Sequence, residues 1–513
     1  LSRSGEHDSP STEWVLIRSR SHRKDRGKKR HFCASGAYGK LSALFTPQNK
    51  DKKMRVTGLA LNGFIFCCLT TLAPTAMANP TIFPTGTTIY DTERAWNGYV
   101  LFSAPTGNTH LIDMDGNEVN QWNRPGFPAE MLDPALNDGK KGHILVQIEN
   151  NEGMWGGIFN NVAIGEVDWD GQTVWSWRGE NEEGADQSHD WARLPNGNTL
   201  AVVAVPQIVP ALSKTKPITD EHIVEVSPKG EVVWRWSAGL HLDQFGLSEE
   251  GLNLWRELIE ATGGLRAGFI TINDMAPIGP NKWFDAGDAR FHPDNIVIDS
   301  REASFIAIIE KTSGDIVWRI GPDYPTQSSA ELRPRFDTYV PRPVDQTSGQ
   351  HDAHIIPKGL PGAGNLLVFD NVAPSGYPAT RLPLFYGSRI LEIDPLEKQI
   401  VWQYTAVESG AASWTFASSF ISSARRLPNG NTLINEGMNG RMFQVTPAGD
   451  IVWEYVNPHF GSQTYTSLNS ENRTVSTNWV FRAQPIPYDW VPEGTPRSEK
   501  GVAPIDIKNY RVQ

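Results

Sequence analysis

Imidazole changes charge near neutral pH, so a histidine can serve as a nucleophile or carry a proton. Two His-Asp pairs stand out in this chain, His189-Asp190 and His351-Asp352. The first pair lies in Ser188-His-Asp-Trp-Ala-Arg-Leu-Pro-Asn-Gly-Asn-Thr-Leu200, which returns as Ser422-Ser-Ala-Arg-Arg-Leu-Pro-Asn-Gly-Asn-Thr-Leu433. A looser copy joins His351-Asp-Ala-His-Ile-Ile-Pro357 to Gly364-Asn-Leu-Leu-Val368. Between them, Phe269-Ile-Thr-Ile-Asn-Asp-Met275 holds the matching place and offers Thr271, Asn273 and Asp274. His189, His351 and Ser422 thus share one repeat position. Arg301 follows Asp299-Ser300 at the end of an apolar strand and could clamp a tetrahedral oxyanion such as sulfate or phosphate. Arg381 and Arg389, after the His351 copy, are further cationic candidates, whereas His354 reads as structural. With no dense His/Cys cluster near the two pairs, no metal is assigned.

These residues need elements to bring them together. Each copy reads as a strand, a Pro-Asn-Gly turn and a second strand. A second hairpin follows, with a Pro/Asp/Gly turn and a strand ending in tryptophan, at Trp122, Trp175, Trp234, Trp318, Trp402 and Trp453. Joined, the two hairpins make a unit of four antiparallel strands, clearest over roughly 189–237. Six such units predict an all-β fold, a six-bladed β-propeller with loop or helical insertions on one face. The tryptophans should pack between blades, and Asn478–Arg482 should supply the strand that closes the ring. Residues 238–264 have helical apolar spacing; 322–350 read as a long connection. The first strand of each propeller blade lines the central channel, so the repeat position places His189, Asn273, His351 and Ser422 around one mouth.

Charge is uneven along the 513 residues. Residues 1–78 carry 14 Lys and Arg against 5 Asp and Glu, leaving 33 against 53 in the remainder. An acidic body without a basic stripe argues against a nucleic-acid partner. Basic residues after Lys52, an apolar run from Leu59 to Leu72 and Ala76-Met-Ala78 make a signal-peptide pattern over 54–78, with cleavage after Ala78. The run is too short, and too broken by Asn62 and Gly63, to remain as a membrane span. Residues 1–53 are then expected to be an extension ahead of the initiator Met54. Residues 79–490 would form the propeller and 491–513 a tail. Cys33, Cys67 and Cys68 all precede the cut, so the mature chain would have neither a disulfide nor a thiol nucleophile. No phosphate-cradling glycine loop, Gly-x-Ser-x-Gly elbow or His-Glu-x-x-His occurs, and no cofactor is implied.

Gln350-His-Asp-Ala-His354 followed by Gly364-Asn-Leu-Leu-Val-Phe-Asp-Asn371 resembles the bacterial arylsulfotransferase family, as do the Asp-Ser-Arg301 segment and the closing Val480-Phe-Arg482. The resemblance spans roughly 80–490. It implies an exported, periplasmic or secreted enzyme with small-molecule partners, moving a sulfuryl group from an aryl sulfate donor to a phenolic acceptor through a sulfated histidine. On matching positions, His351 would be the nucleophile, with His189 and Arg301 as supporting catalytic groups. Asn273, Thr271, Ser422 and Arg389 would contact substrate. Two positions depart from the family pattern: Glu302 and Thr271 stand where histidines are common. A carboxylate at 302 lies badly beside an anionic substrate, so a non-catalytic propeller binding through the same mouth is the alternative.

Overall fold

The computed structural model describes residues 81–150, 161–179, 186–262, 270–322, 347–377, 387–466 and 472–503. The proposed signal segment, the extension ahead of it, Arg381, most of the 322–350 connection and the end of the tail lie outside these residues.

Six antiparallel four-stranded blades form a ring. Blade 3 is the clearest, with strands Asp186–Arg193, Thr199–Gln207, Ile218–Val226 and Val232–Ser237. The inner strands of blades 4, 5 and 6 are Ile272–Pro277, His351–Ile355 and Ser423–Arg426. Blade 2 begins with Glu130–Met131. Blade 1 takes its inner strand, Ala483–Ile486, from the far end of the chain and pairs it with Tyr99–Ser103. The closing strand therefore starts just beyond the segment the sequence suggested. Val480 and Phe481 form the buried bend that enters it, and Arg482 follows with 10% of its side chain exposed. An additional strand, Gly86–Tyr90, lies against the outer edge of blade 6.

The repeated turn explains the first hairpin. Leu194 accepts from Gly197, and the Leu194 amide donates to Asn198, so Pro195 and Asn196 occupy the centre of a type I turn. Gly197 then takes the left-handed conformation at φ 83° that completes the bulge. Leu427–Asn431 repeats this bonding.

There is no single core. Apolar side chains collect instead at the six interfaces between neighbouring blades, such as Leu200, Ile223, Met275 and Ile298 between blades 3 and 4. The tryptophans lock these interfaces. The indole N–H donates to a turn carbonyl of the next blade from Trp122 to Asp168, Trp234 to Lys311, Trp318 to Pro395, Trp402 to Pro447 and Trp453 to Met114, at 2.7–3.0 Å. Each such bond contributes about 1 kcal/mol. Trp175 departs from the pattern, lying under the Arg193 guanidinium at 5.5 Å. The expected helix is present at Glu249–Thr262, burying Trp255 and Ile259. Among the described residues no helix is long and apolar enough to cross a membrane.

Candidate active site

The repeats converge on the axis in register. In three blades the second residue of the motif straps the next blade by accepting a backbone N–H. Asp190 takes Met275, Asp352 takes Ala424 and Ser423 takes Ala483, at 2.9–3.2 Å. Between blades 4 and 5 the strap is Asp299, which accepts from Ala353 at 3.0 Å. The aspartates of the His-Asp pairs thus have a structural role. The strand pairing is irregular after His351, and Asp352 takes positive φ, 60°, which carries the aspartate inward while the histidine turns to the mouth.

Inward lies a charged hub. Arg482, entering the closing strand, grips Asp190 through two bonds of 3.0 and 2.8 Å, contacts Asp274, and reaches Asp352 at 3.3 Å. Arg425 also binds Asp352, at 2.5 Å. Burial pushes the carboxyls up: Asp352 to about 6, and Glu130, beside Asp190, to about 7. Asp299 is raised well above the carboxylate range by burial and then by Asp274. His354 is buried here too, its Nδ1 on the Asp352 carbonyl.

The mouth holds His351 and His189. His351 is 1% exposed. The Asn371 amide donates to the carbonyls of Ser418 and Ile421 at 2.6 and 2.9 Å, which turns its Oδ1 toward His351 Nδ1 at 2.8 Å. On the other side of the ring, Nε2 accepts the Ile421 N–H at 3.1 Å. Both contacts require the same tautomer, protonated at Nδ1 with the lone pair on Nε2. Ile421 and Val372 take positive φ, 52° and 51°, a costly conformation for β-branched residues and a form of strain found at functional sites. Burial, and secondarily Arg301, push His351 down to about 4 despite the opposing field of Asp274. Burial and His351 do the same to His189, also about 4. Both rings are therefore neutral at pH 7.

Aromatic side chains join the two histidines. Phe481 has its ring centroid 6.4 Å from each of them, and Phe127 lies 5.6 Å from His189 and 4.1 Å from Phe481. With Trp479, Ile421 and Phe420 they make a separate apolar cluster. From the sequence, Trp479 and Phe481 have only a place in the closing segment, and Phe127, Phe420 and Ile421 have no role. Extending the repeat register to the C-terminal segment would have found Phe481-Arg482, which stand where His351-Asp352 stand in blade 5.

The remaining candidates divide. Asn273 Oδ1 accepts the Arg301 backbone N–H at 2.7 Å, tying blade 4 to the arginine loop. The Arg301 guanidinium bonds the Ser419 carbonyl at 3.1 Å and pairs with Glu302 at 3.2 Å. Thr271 is buried next to the inner strand of blade 4. Ser422 Oγ lies between Ser418 Oγ and the Gly437 N–H, bracing the turn that carries Ile421. Arg389 is held in a buried ion pair with Asp370 on the adjacent strand, at 2.7 Å. Replacing Asn371 by leucine removes the Nδ1 acceptor and frees the wrong tautomer. Any turnover that depends on the His351 lone pair should fall about 100-fold or more while the fold is kept, a check made by comparing kcat with circular dichroism.

Known proteins can be set beside this geometry. Similar solved structures include a protein of unknown function from Bacteroides caccae, 12% identical with TM-score 0.39, covering 76% of this chain and 99% of that one. The Myceliophteria thermophila Cps50 (Swd1) β-propeller domain is 10% identical with TM-score 0.33, covering 78% and 97%. The Dos1 propeller is 8% identical with TM-score 0.32, covering 78% and 80%. No curated protein matches the chain significantly. The sequence profile of the Arylsulfotransferase (ASST) family matches residues 85–481, which takes in every blade strand except the closing Ala483–Ile486, together with both mouth histidines and Arg301. The chain belongs to the arylsulfotransferase family.

Proposed function

We propose that this protein is an exported aryl-sulfate sulfotransferase that works through a sulfated His351. The observation that carries the reading is the ring of His351 itself, buried and fixed in one tautomer with its lone pair on Nε2 beside an aromatic cluster. In the first half-reaction Nε2 attacks sulfur as the S–O bond to the donor breaks. The electron pair leaves with the phenolate, and the Nδ1 proton stays in place. The ring then carries a positive charge that Asn371 Oδ1 stabilises. In the second half-reaction a phenol oxygen attacks sulfur, its proton passes to neutral His189, and the N–S electrons return to Nε2 as that bond breaks. The Ile421 N–H, released from Nε2 by the attack, is placed to donate to a sulfuryl oxygen, with the strained turn holding it there. Phe481, Phe127 and Trp479 offer rings to an aryl leaving group. His189 is positioned to hydrogen-bond the phenolic oxygen.

Arg301 bears on a sulfuryl group carrying dispersed negative charge. Its pairing with Glu302 cancels that field, so Glu302→Gln is expected to raise kcat/KM for an aryl sulfate about 2- to 5-fold, roughly the worth of one partly exposed ion pair. An unchanged or lower value would show that Glu302 serves to position Arg301 instead.

The test is incubation of the mature chain with 4-nitrophenyl sulfate and phenol. Nitrophenol release with ping-pong kinetics, and a sulfuryl adduct (about 80 Da) on the His351 peptide when acceptor is omitted, are expected. No turnover across a panel of aryl sulfates would instead leave the mouth a binding site.

A further inference from the structure

Away from the mouth, a second histidine cluster forms on blade 1. His110, in the strand Thr109–Ile112, is 1% exposed, and its Nδ1 meets Glu118 Oε2 of the adjacent strand at 2.6 Å. The ring of His459, which arrives from beyond blade 6, stacks on His110 with centroids 3.9 Å apart and planes 11° from parallel. One nitrogen of each histidine and one Glu118 oxygen all lie within 4.8 Å of one another. His110 Nε2 is buried without a hydrogen-bond partner among the described residues.

A stack of two imidazoles is a poor end in itself. It buries His110 Nε2 without a hydrogen bond among the described residues, and such burial is costly unless something else satisfies the atom. Two imidazoles and a carboxylate make a donor set suited to a first-row divalent ion, with a fourth position left for water. Burial pushes both rings down in pKa, for His459 with help from His110, which keeps them in the neutral form that ligates. Glu118 has 39% of its side chain exposed and can swing off Nδ1, and the half-buried His459 ring must tilt out of the stack for both lone pairs to converge on an ion.

We propose that His110, Glu118 and His459 bind a divalent transition-metal ion, of which Zn²⁺ is the probe. The site is built across the ring closure. His459 sits at the neck of an excursion whose ends, Asn457 and Asn478, are stapled by reciprocal amide-to-carbonyl bonds of 3.0 and 2.8 Å. The same segment runs on to Trp479, Phe481 and Arg482. A bound ion would therefore pin the neck to blade 1 and brace the route to the mouth, a structural role independent of His351 chemistry.

The experiment uses the full chain, stripped with a chelator and titrated with Zn²⁺ against a chromophoric competitor. Thermal unfolding is followed in parallel. One equivalent should bind and raise the midpoint, while His459→Ala and Glu118→Ala, both on accessible residues, should weaken binding about 100-fold or more, at or beyond what loss of an outer-shell partner costs. Failure of the wild type to bind at micromolar Zn²⁺ overturns the proposal. So does one-equivalent binding that His459→Ala leaves untouched.

Discussion

His351→Ala is expected to lower kcat for 4-nitrophenyl sulfate about 10⁴-fold or more and to abolish the sulfuryl adduct, with the fold intact. Losses of this size follow when the group that bonds to the transferred fragment is removed, because no neighbour can supply the same lone pair at the same point. His189 is the nearest substitute, but its ring is set against Phe127 and Phe481, and the Asn371 amide is engaged with His351. The wild-type pH profile should carry the same signature. An ordinary histidine nucleophile is half protonated near 6.5. Burial holds His351 at about 4, so kcat/KM should stay level as pH falls to 5 and decline only toward 4. An acid limb centred near 6.5 would sink the assignment, and so would a His351→Ala enzyme that turns over like wild type.

Arg482→Met should destabilise the propeller by about 3–5 kcal/mol, the usual cost of stripping the partner from buried charges. Three carboxylates from three blades meet this one guanidinium, Asp190, Asp274 and Asp352, and each is at most 2% exposed. Two of them also strap neighbouring blades, so their repulsion would be felt at the ring closure. The effect has a pH signature with a definite sign. Asp352 is raised in the folded state, to about 6, so the folded form binds more protons than the unfolded chain between roughly 4 and 6. Its stabilising contribution is complete below that window and is lost as pH rises through it. Without Arg482, Asp352 and Asp190 rise further and the window extends upward. Denaturant titrations should therefore show a larger wild-type-to-variant gap at pH 8 than at pH 5. A gap that is constant with pH would mean that the arginine stabilises by packing rather than by charge.

Much of the architecture was legible because a propeller is written locally. Strand period, glycine-bearing turns (Pro-Asn-Gly in two blades) and a tryptophan near every fourth strand recur along the chain, and this repetition points to six blades. The same periodicity brings His189, Asn273, His351 and Ser422 to one register around the axis, since equivalent positions in a ring are neighbours. What periodicity does not contain is the partner of each residue. The aspartate beside each histidine looks like its orienting group, yet the strand turns it to the hub. The group that does orient His351 is Asn371, on the next strand, aimed by carbonyls of Ser418 and Ile421. Ser422 has the right register but its hydroxyl is consumed by Ser418 and Gly437. Arg301 and Glu302 are neighbours in any reading; only the fold decides that they pair with each other. Arg482, Phe481 and the His110–His459 stack join the two ends of the chain, contacts that arise only when the last strand closes the first blade. Local pattern determines which elements form and in what order they repeat. Ring closure, which unites residues hundreds of positions apart, determines the charges, tautomers and neighbours on which the chemistry depends.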